Sequence, residues 1–425
     1  MPFQDFHSHG RFRTSIPAVP HPKPDKNTYI QGMRIYLDHA ATTPVRPAVL
    51  DAMLPFLGER FGNPSSTHRW GREARVALDE ARERVAGTIG ARSDEVCFTS
   101  GGTEADNLAI LGCWHHLRRE RPAVVTSPFE HKAVLATVHE VAHEGGEERL
   151  ARVTGGGVVD LEDVDRLVDD RVALVSIMWV NNEIGTIQDV PGIGAIAHDR
   201  GALMHTDAVQ AFGKLSIDVK TLPVDLLSIS GHKVGAPKGI GAMYIRRGVQ
   251  IDPLFHGGSQ DRGRRPGTEN VAYAVGFATA AELVVAERER ECERLGALRD
   301  ELQRAIIAAI PDAIVHGAGA PRVNHILSVS IPGIDAESLL MALDLEGIAC
   351  SAGSACQSGS VAPSHVLSAM GVRPDLGNSA IRMSLGSLTT PEAVRHVAQR
   401  FPALVNKSRD YSSTPNFSCA VLGAA

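Results

Sequence analysis

Short apolar runs with strand character alternate with helical patterns along most of the chain. Each run is rich in Val, Ile or Leu, as expected of strands that are buried on both faces. The runs are EVCFTS (95–100), AVVTS (123–127), VALVSIMWV (172–180), ALMHT (202–206) and DLLSIS (225–230). This alternation predicts an α/β fold in which a mostly parallel sheet is covered by helices on both faces.

Helical periodicity is clearest between the first strand runs and again after residue 270. The clearest helical segments are HRWGREARVALDEARERVAGTIG (68–90), TEADNLAILGCWHHLR (103–118) and residues 270–310, which predict one or two long helices. An earlier helix is expected to begin at Pro44, with Thr43 as its N-cap. The long helices lead to a second region with strand runs HILSVSI (325–331) and IRMSLG (381–386).

Composition limits the function classes. The chain has 425 residues, of which 43% are hydrophobic, so it can build a large core and is expected to form two domains. Its formal net charge of −6 gives no basic excess for nucleic acid, and no apolar run approaches the ~20 residues that span a bilayer. Six scattered cysteines are typical of a reducing compartment, so we expect a cytoplasmic protein.

Residues 1–32 differ in pattern from the rest of the chain. They contain five prolines and neither helical nor alternating periodicity, so we predict a disordered leader. Met33 opens the first stretch with the pattern of folded protein, and one hypothesis is that Met33 is the true start and that residues 1–32 are not translated.

Candidate chemistry lies directly after the predicted strands, at the carboxyl ends where open parallel sheets bind ligands. The first strand is followed by GGTEADN (101–107), two glycines that lead into a helix and can cradle a phosphate. The segment matches neither a Walker loop nor GxGxxG, and an ordinary strand–helix turn explains it equally well.

Two later strand ends carry a carboxylate and an amine. Asp207 and Gln210 come after ALMHT, while His232 and Lys233 come after DLLSIS. Most lysines are solvated, but a lysine between glycines at a strand end can be a desolvated amine that bonds covalently to an aldehyde. Pyridoxal 5′-phosphate (PLP) needs a phosphate cradle, a carboxylate at its ring nitrogen and such a lysine, and these occur here in that order.

At this point the chain resembles the NifS/IscS-like cysteine desulfurases, which belong to the fold type I PLP enzymes of aminotransferase class V. The resemblance covers about residues 36–400. The motifs that carry it are YLDHAATTP, FGNPSSTH, FTSGGTEADN, EHKAVL, VNNEIGTIQD, HTDAVQ, SGHKVGAPKGIGA, RPGTEN, SAGSACQSGS and IRMSLG. It implies a seven-stranded large domain, a smaller α+β C-terminal domain and a homodimer. We expect a large domain at 43–290, a small domain formed by 33–42 with 291–405, and a tail at 406–425.

The resemblance implies a role for each matching residue. Lys233 would bind PLP covalently, Asp207 would pair with the ring nitrogen, His131 would stack on the ring and Gln210 would contact its oxygen. The phosphate would be held by Gly102, Thr103, Ser230 and His232, with Thr268 contributed by the other subunit of the dimer. Asn182 and Arg382 would bind the substrate carboxylate, which suits the planar fork of an arginine.

The segment SAGSACQSGS (351–360) contains one thiol among small residues. Taken alone, this composition predicts a flexible linker whose cysteine has no function. With the resemblance, Cys356 becomes the nucleophile that takes sulfur from L-cysteine as a persulfide, leaves L-alanine and passes sulfur on. The acceptor would belong to iron–sulfur cluster assembly or to tRNA or DNA thiolation. Cys350 is read as a packing residue.

Other functions are open at this stage. HEVAH (139–143) matches the HExxH zinc motif, which would make the protein a metalloprotease with Glu140 as its base. Arg149 stands where a third histidine would extend that motif, and an amphipathic helix with two surface histidines explains it as well. Further alternatives are a selenocysteine lyase, another class V PLP enzyme, and a catalytically inactive scaffold that binds iron–sulfur assembly proteins.

Overall fold

The computed structural model describes residues 34–352 and 364–413. The strands are β1 (Ile35–Tyr36), β2 (Val96–Thr99), β3 (Ala123–Thr126), β4 (Glu147–Leu150), β5 (Val172–Ser176), β6 (Leu203–Asp207), β7 (Leu226–Ser230), β8 (Gly241–Ile245), β9 (Ile314–Val315), β10 (Ile326–Ser330), β11 (Ile348–Ala349), β12 (Ser351–Ala352) and β13 (Ala380–Ser384). The helices are α1 (Pro47–Leu57), α2 (Arg69–Thr88), α3 (Gly102–Leu117), α4 (Lys132–His143), α5 (Leu161–Leu167), α6 (Val190–Asp199), α7 (Val271–Ala309), α8 (Ala336–Leu345), α9 (His365–Ala369), α10 (Pro374–Gly377) and α11 (Pro391–Ser413).

The main sheet has seven strands in the order β2-β8-β7-β6-β5-β3-β4. Strands β3 to β7 pair in parallel with their neighbours, and β8 is antiparallel to both β2 and β7. The predicted mostly parallel α/β sheet is therefore confirmed. Two of its strands were not predicted from the sequence: β4 (EERL), which is a polar edge strand, and β8 (GAMYI), a short apolar run that begins with glycine.

The strand run at 172–180 is shorter than predicted. Strand β5 ends at Ser176, and Met178 in the apolar segment after it lines a cavity. Trp179 donates its backbone N–H to the carbonyl of Asp207 at 2.9 Å, so this segment packs beside the end of β6. Burial rather than strand pairing explains why it is apolar.

The predicted start of the first helix at Pro44 is wrong. Helix α1 begins at Pro47, and Arg46 occupies the N-cap position. The hydroxyl of Thr43 cannot cap a helix because it donates to the carbonyl of His232 at 2.8 Å and accepts from the N–H of Gly235 at 2.9 Å. Thr43 therefore joins the N-terminal segment to the turn that carries Lys233.

A second hydrophobic core surrounds a four-stranded sheet, β12-β13-β10-β9, and the two-stranded β1-β11 pair. Residues Ile35 and Leu37 belong to this core together with residues from α7, α8 and α11. We therefore propose, as the sequence suggested, a small domain that combines the N-terminal strand with the C-terminal region. Helix α7 runs through both cores as one 39-residue helix. Helix α11 continues to Ser413, past the tail boundary that we placed at residue 405.

In the described part of the chain, no helix is both long and apolar enough to cross a membrane.

Candidate active site

A cavity of about 330 Å³ lies at the carboxyl ends of the central parallel strands. Ten of the predicted site residues line it: Gly102, Thr103, His131, Asn182, Asp207, Gln210, Ser230, His232, Lys233 and Arg382. Thr268 does not line this cavity, and Cys356 lies outside the described residues. The sheet topology thus brings together residues that are up to 280 positions apart in sequence, from Gly102 to Arg382.

Lys233 lies after β7 in a short 3₁₀ turn, Gly231–Lys233. Its amine donates hydrogen bonds to the backbone carbonyls of Ala40 and Ala41, both at 2.7 Å. The side-chain amide of Gln210 donates to the same Ala40 carbonyl at 2.9 Å. The segment after β1 therefore meets the lysine at the floor of the cavity.

Asp207 ends β6 and is buried, with 6% of its surface exposed. Burial raises the pKa of its carboxyl, while His131, the N–H of Val209 and Lys233 oppose this rise. The N–H of Val209 donates to Asp207 Oδ1 at 2.9 Å. His131 caps α4, where Nδ1 accepts from the N–H of Ala133 at 3.1 Å, and burial lowers its pKa. A neutral imidazole thus faces the cavity near the buried carboxyl.

The predicted phosphate cradle is formed by the start of α3 and the end of β7. A Cβ on Gly102 would lie 2.9 Å from Cγ2 of Val209, so a larger residue would crowd the turn. The hydroxyl of Ser230 is buried and has no hydrogen-bond partner among the described residues. Nδ1 of His232 lies 3.1 Å from the Thr42 hydroxyl, which leaves its other nitrogen for a ligand. Backbone N–H groups at a helix start favour an anion here.

Arg382 lies on β13 of the small domain, and its side chain reaches the same cavity. Its guanidinium donates to the Asn182 carbonyl at 2.9 Å and to the Asp38 carboxylate at 2.8 Å. Its Nε and the side-chain oxygen of Asn182 are buried without partners in the described part of the chain. These two groups form a polar end of the cavity, where Nε can donate and the amide oxygen can accept a further hydrogen bond.

The sequence reasoning missed several residues that line the cavity: Asp106, Lys132, Met178, Glu183 and His365. Glu183 is 3% exposed, and burial raises its pKa to about 7. Asp106 is fully enclosed, and burial, with the charge of Asp207, raises its pKa well above the usual range. Both residues lie inside motifs that the resemblance already covered, GGTEADN and VNNEIGTIQD, but no rule of spacing assigns them a role.

The HEVAH histidines lie on the solvent-exposed side of α4. The side chains of His139 and His143 on α4 are 83% and 80% exposed. His139 lies 3.2 Å from Glu148, and His143 lies 3.5 Å from Glu140. Across residues 34–352 and 364–413, no group of three or more His, Cys, Asp or Glu side chains is arranged to hold a metal ion. This exposure supports the interpretation of the motif as an amphipathic helix with two surface histidines.

Cys350 packs against the small-domain core. Burial raises the pKa of its thiol to about 12, so it stays protonated and unreactive at neutral pH. Cys97, Cys113 and Cys292 are likewise unpaired and hold raised pKa values because they are buried.

Comparison with known proteins agrees with this geometry. The family model described as "Aminotransferase class-V" matches residues 35–397, so the chain belongs to the class V aminotransferase family. The chain is 46% identical over 378 residues to cysteine desulfurase IscS of Dictyoglomus turgidum, covering 89% of this chain and 96% of that protein. It is 43% identical over 379 residues to cysteine desulfurase NifS of Azotobacter vinelandii, covering 89% and 94%.

A solved structure named as a NifS-like protein superposes with a TM-score of 0.83 at 38% identity. The match covers 88% of this chain and 100% of that one. The resemblance that the sequence motifs carried is thereby confirmed over most of the chain.

Proposed function

We propose that this protein is a PLP-dependent cysteine desulfurase that converts L-cysteine to L-alanine and carries the sulfur as a persulfide on Cys356. The observation that carries the proposal is the meeting of Lys233, Asp207 and Arg382 in one cavity. An amine, a buried carboxyl and a guanidinium are the groups that PLP and an amino-acid substrate require.

The described residues fit PLP. The unpartnered Ser230 hydroxyl and the start of α3 would hold its phosphate with Thr103 and His232. Asp207 would pair with the ring nitrogen, and Gln210 would contact the ring oxygen. His131 would stack on the ring and Lys233 would bind covalently.

The chain's own residues then carry out binding and proton transfer. PLP held by these residues would supply an electron sink for the substrate Cα, and this would weaken the C–S bond. The Lys233 amine, already directed into the cavity, moves the proton at Cα as a general base and acid. Arg382 Nε and the Asn182 side-chain oxygen, both unpartnered within the described residues, support a role in orienting the substrate. The arginine would bind the carboxylate, and the amide oxygen would accept from a substrate N–H.

Cys356 is proposed as the sulfur acceptor. Strand β12 ends at Ala352, the last described residue before the segment that contains Cys356. Its neighbour Ser351 pairs with Arg382 of β13. Cys356 lies four residues after Ala352, and four extended residues span at most about 13–14 Å. The proposal requires the thiol to reach the cavity at Arg382 across this span. As a thiolate, Cys356 attacks the substrate sulfur, the C–S bond breaks and a proton completes alanine.

The homodimer is part of the proposal. Leu50, Leu54 and Leu57 on α1 are 48–58% exposed, and Phe61 beyond the helix is 73% exposed. Apolar surface of this kind is typical of a protein interface. Thr268 lies away from the cavity of its own chain, which supports its assignment to the partner's phosphate site.

The sulfur acceptor is proposed to be a protein of iron–sulfur cluster assembly or of tRNA or DNA thiolation. We further propose that the protein works in the cytoplasm, which agrees with the unpaired state of the four cysteines among the described residues.

The test is a product assay with the PLP-loaded protein, L-cysteine and a thiol reductant. We expect equal amounts of alanine and sulfide, and loss of both in Lys233→Ala together with the yellow colour of covalently bound PLP. The double variant His139→Ala/His143→Ala is the control and should keep full activity. Activity on selenocysteine alone would favour a selenocysteine lyase, and zinc-dependent peptide cleavage would overturn the proposal.

A further inference from the structure

Lys233 and Gln210 line two cavities rather than one. Besides the cavity described above, they border a smaller one of about 50 Å³, which we call the rear chamber. Its other walls include His39, Lys214 and His325. Lys233 and Gln210 therefore border both the substrate cavity and a second polar space.

Two histidines of the rear chamber have unused hydrogen-bonding capacity. His39 is 5% exposed and His325 is 3% exposed. Neither ring nitrogen of His39, nor Nδ1 of His325, has a hydrogen-bond partner among the described residues. Buried polar groups in proteins are almost always satisfied, and those without a protein partner are usually satisfied by ordered water.

The rear chamber is large enough for this. A buried water needs roughly 10–15 Å³ of such volume and two to four polar partners, so a few molecules fit. The chamber also approaches solvent, because Arg46 and Glu287 line it and their side chains are 23% and 32% exposed. These two residues form an ion pair at 2.8 Å. The chamber is thus bordered by Lys233 and by this partly exposed ion pair.

Both imidazoles are suited to ordering water without adding charge beside the lysine. Burial, with the positive charge of Lys214, lowers the pKa of His39 to about 4 and that of His325 well below its usual range. A neutral imidazole offers one donor and one acceptor, which is what a chain of hydrogen-bonded water molecules requires.

We propose that the rear chamber holds ordered water, bound by His39 and His325, that exchanges protons with the Lys233 amine. His39 and His325 act as positioning residues for this water. A proton that Lys233 takes from the substrate Cα is replaced by a solvent proton through N–H exchange with the chamber water. This step involves no net gain or loss of charge. The inference rests on the proposed function for its catalytic consequence, whereas the presence of the water does not.

The first test is a high-resolution crystal structure of the PLP-loaded protein. We expect ordered water within hydrogen-bond distance of a ring nitrogen of His39, and its loss in His39→Leu. A dry chamber in the wild-type protein would overturn the inference whether or not the protein releases sulfur.

The second test tracks deuterium from Cα of L-cysteine into the alanine product in ordinary water. We expect the wild-type protein to retain little deuterium, because the lysine protons exchange between removal and return. His39→Leu and His325→Leu should retain at least about twofold more, while His39→Asn, which keeps polar groups in the chamber, should retain an intermediate amount.

The control is His316→Leu, since His316 is also 4% exposed but does not line the rear chamber. It should behave as the wild type. Equal retention in all these variants, or high retention in the wild type, would contradict the exchange. If no alanine forms at all, the proposed function fails, and the crystallographic water alone decides the inference.

Discussion

The carboxyl group of Glu183 accepts a hydrogen bond from the Ser364 hydroxyl at 2.5 Å, in the wall of the active-site cavity. Ser364 is the first described residue after the segment that contains Cys356, and it also caps α9. Glu183 therefore connects the described chain after that segment to the part of the cavity wall that holds Asn182.

Glu183 should make stability depend on pH. Because burial raises its pKa to about 7, the folded state binds a proton that the unfolded state has lost, and stability falls as pH rises from the usual carboxyl range to about 7. Above that pH the cost is complete, at about 3 kcal/mol. Glu183→Gln has no charge to bury and removes this dependence.

Chemical denaturation of both proteins at several pH values measures the effect. The free energy of unfolding of Glu183→Gln, relative to the wild type, should increase between about pH 5 and pH 8. Ser338→Ala on the surface of α8 is the control. Its free energy of unfolding should differ from that of the wild type by the same amount at every pH. A difference in unfolding free energy between Glu183→Gln and the wild type that does not change with pH would show that Glu183 is ionised over this whole range.

Arg382→Lys should weaken substrate binding. Lysine keeps the positive charge but loses the planar fork that can bind a carboxylate and still contact Asp38 and Asn182. We expect kcat/KM for L-cysteine to fall by roughly tenfold to a hundredfold, mainly through a higher KM. The exposed Arg373→Lys is the matched control. An unchanged KM would mean that the substrate carboxylate binds elsewhere.

Asp207→Asn should separate cofactor binding from catalysis. The amide cannot balance a positive charge on the ring nitrogen, so PLP should bind with a shifted absorption spectrum and the rate should fall on the order of 10²-fold or more. Asp189→Asn is the control, because Asp189 caps α6 and asparagine caps a helix equally well. Wild-type spectrum and rate in Asp207→Asn would remove this residue from the site.

Much of the fold and most of the cavity could be predicted from local sequence signals. Short apolar runs located the central parallel strands, and the residues after them proved to share one cavity because parallel strands end at one edge. The polar edge strand β4 lacks such a run, since long-range pairing rather than local pattern defines it. Strand β8 does contain one, AMYI, which was overlooked.

Other features could not be obtained from local patterns. Thr43 was predicted as an N-cap, but its hydroxyl forms hydrogen bonds with the backbone of residues 232 and 235, far along the chain. No sequence pattern marks Asp106 and Glu183, because their raised pKa values depend on burial and on charged residues of other elements. Nor could the sequence reveal that Lys233 borders two cavities, because that depends on how the β1 segment packs against β7.

Leu54→Asp should disrupt the proposed dimer. A carboxylate in an apolar interface loses hydration without gaining a partner, so the variant should be monomeric in sedimentation or light scattering. Activity should fall with it, because the partner's Thr268 would no longer reach the phosphate. Met341→Asp on α8, which is 68% exposed, is the control and should remain a dimer. A dimeric, fully active Leu54→Asp protein would rule out an interface on α1.

The central claim is that a lysine-bound cofactor and the Cys356 thiol act on the same substrate. The most direct measurement compares Cys356→Ala with the wild type after both are loaded with PLP and mixed with L-cysteine. We expect the variant to bind PLP with a wild-type spectrum but to form neither alanine nor a protein-bound persulfide. Mass spectrometry should detect the persulfide as one added sulfur on the wild-type protein. Undiminished alanine formation by Cys356→Ala, or a persulfide on any other cysteine, would contradict it.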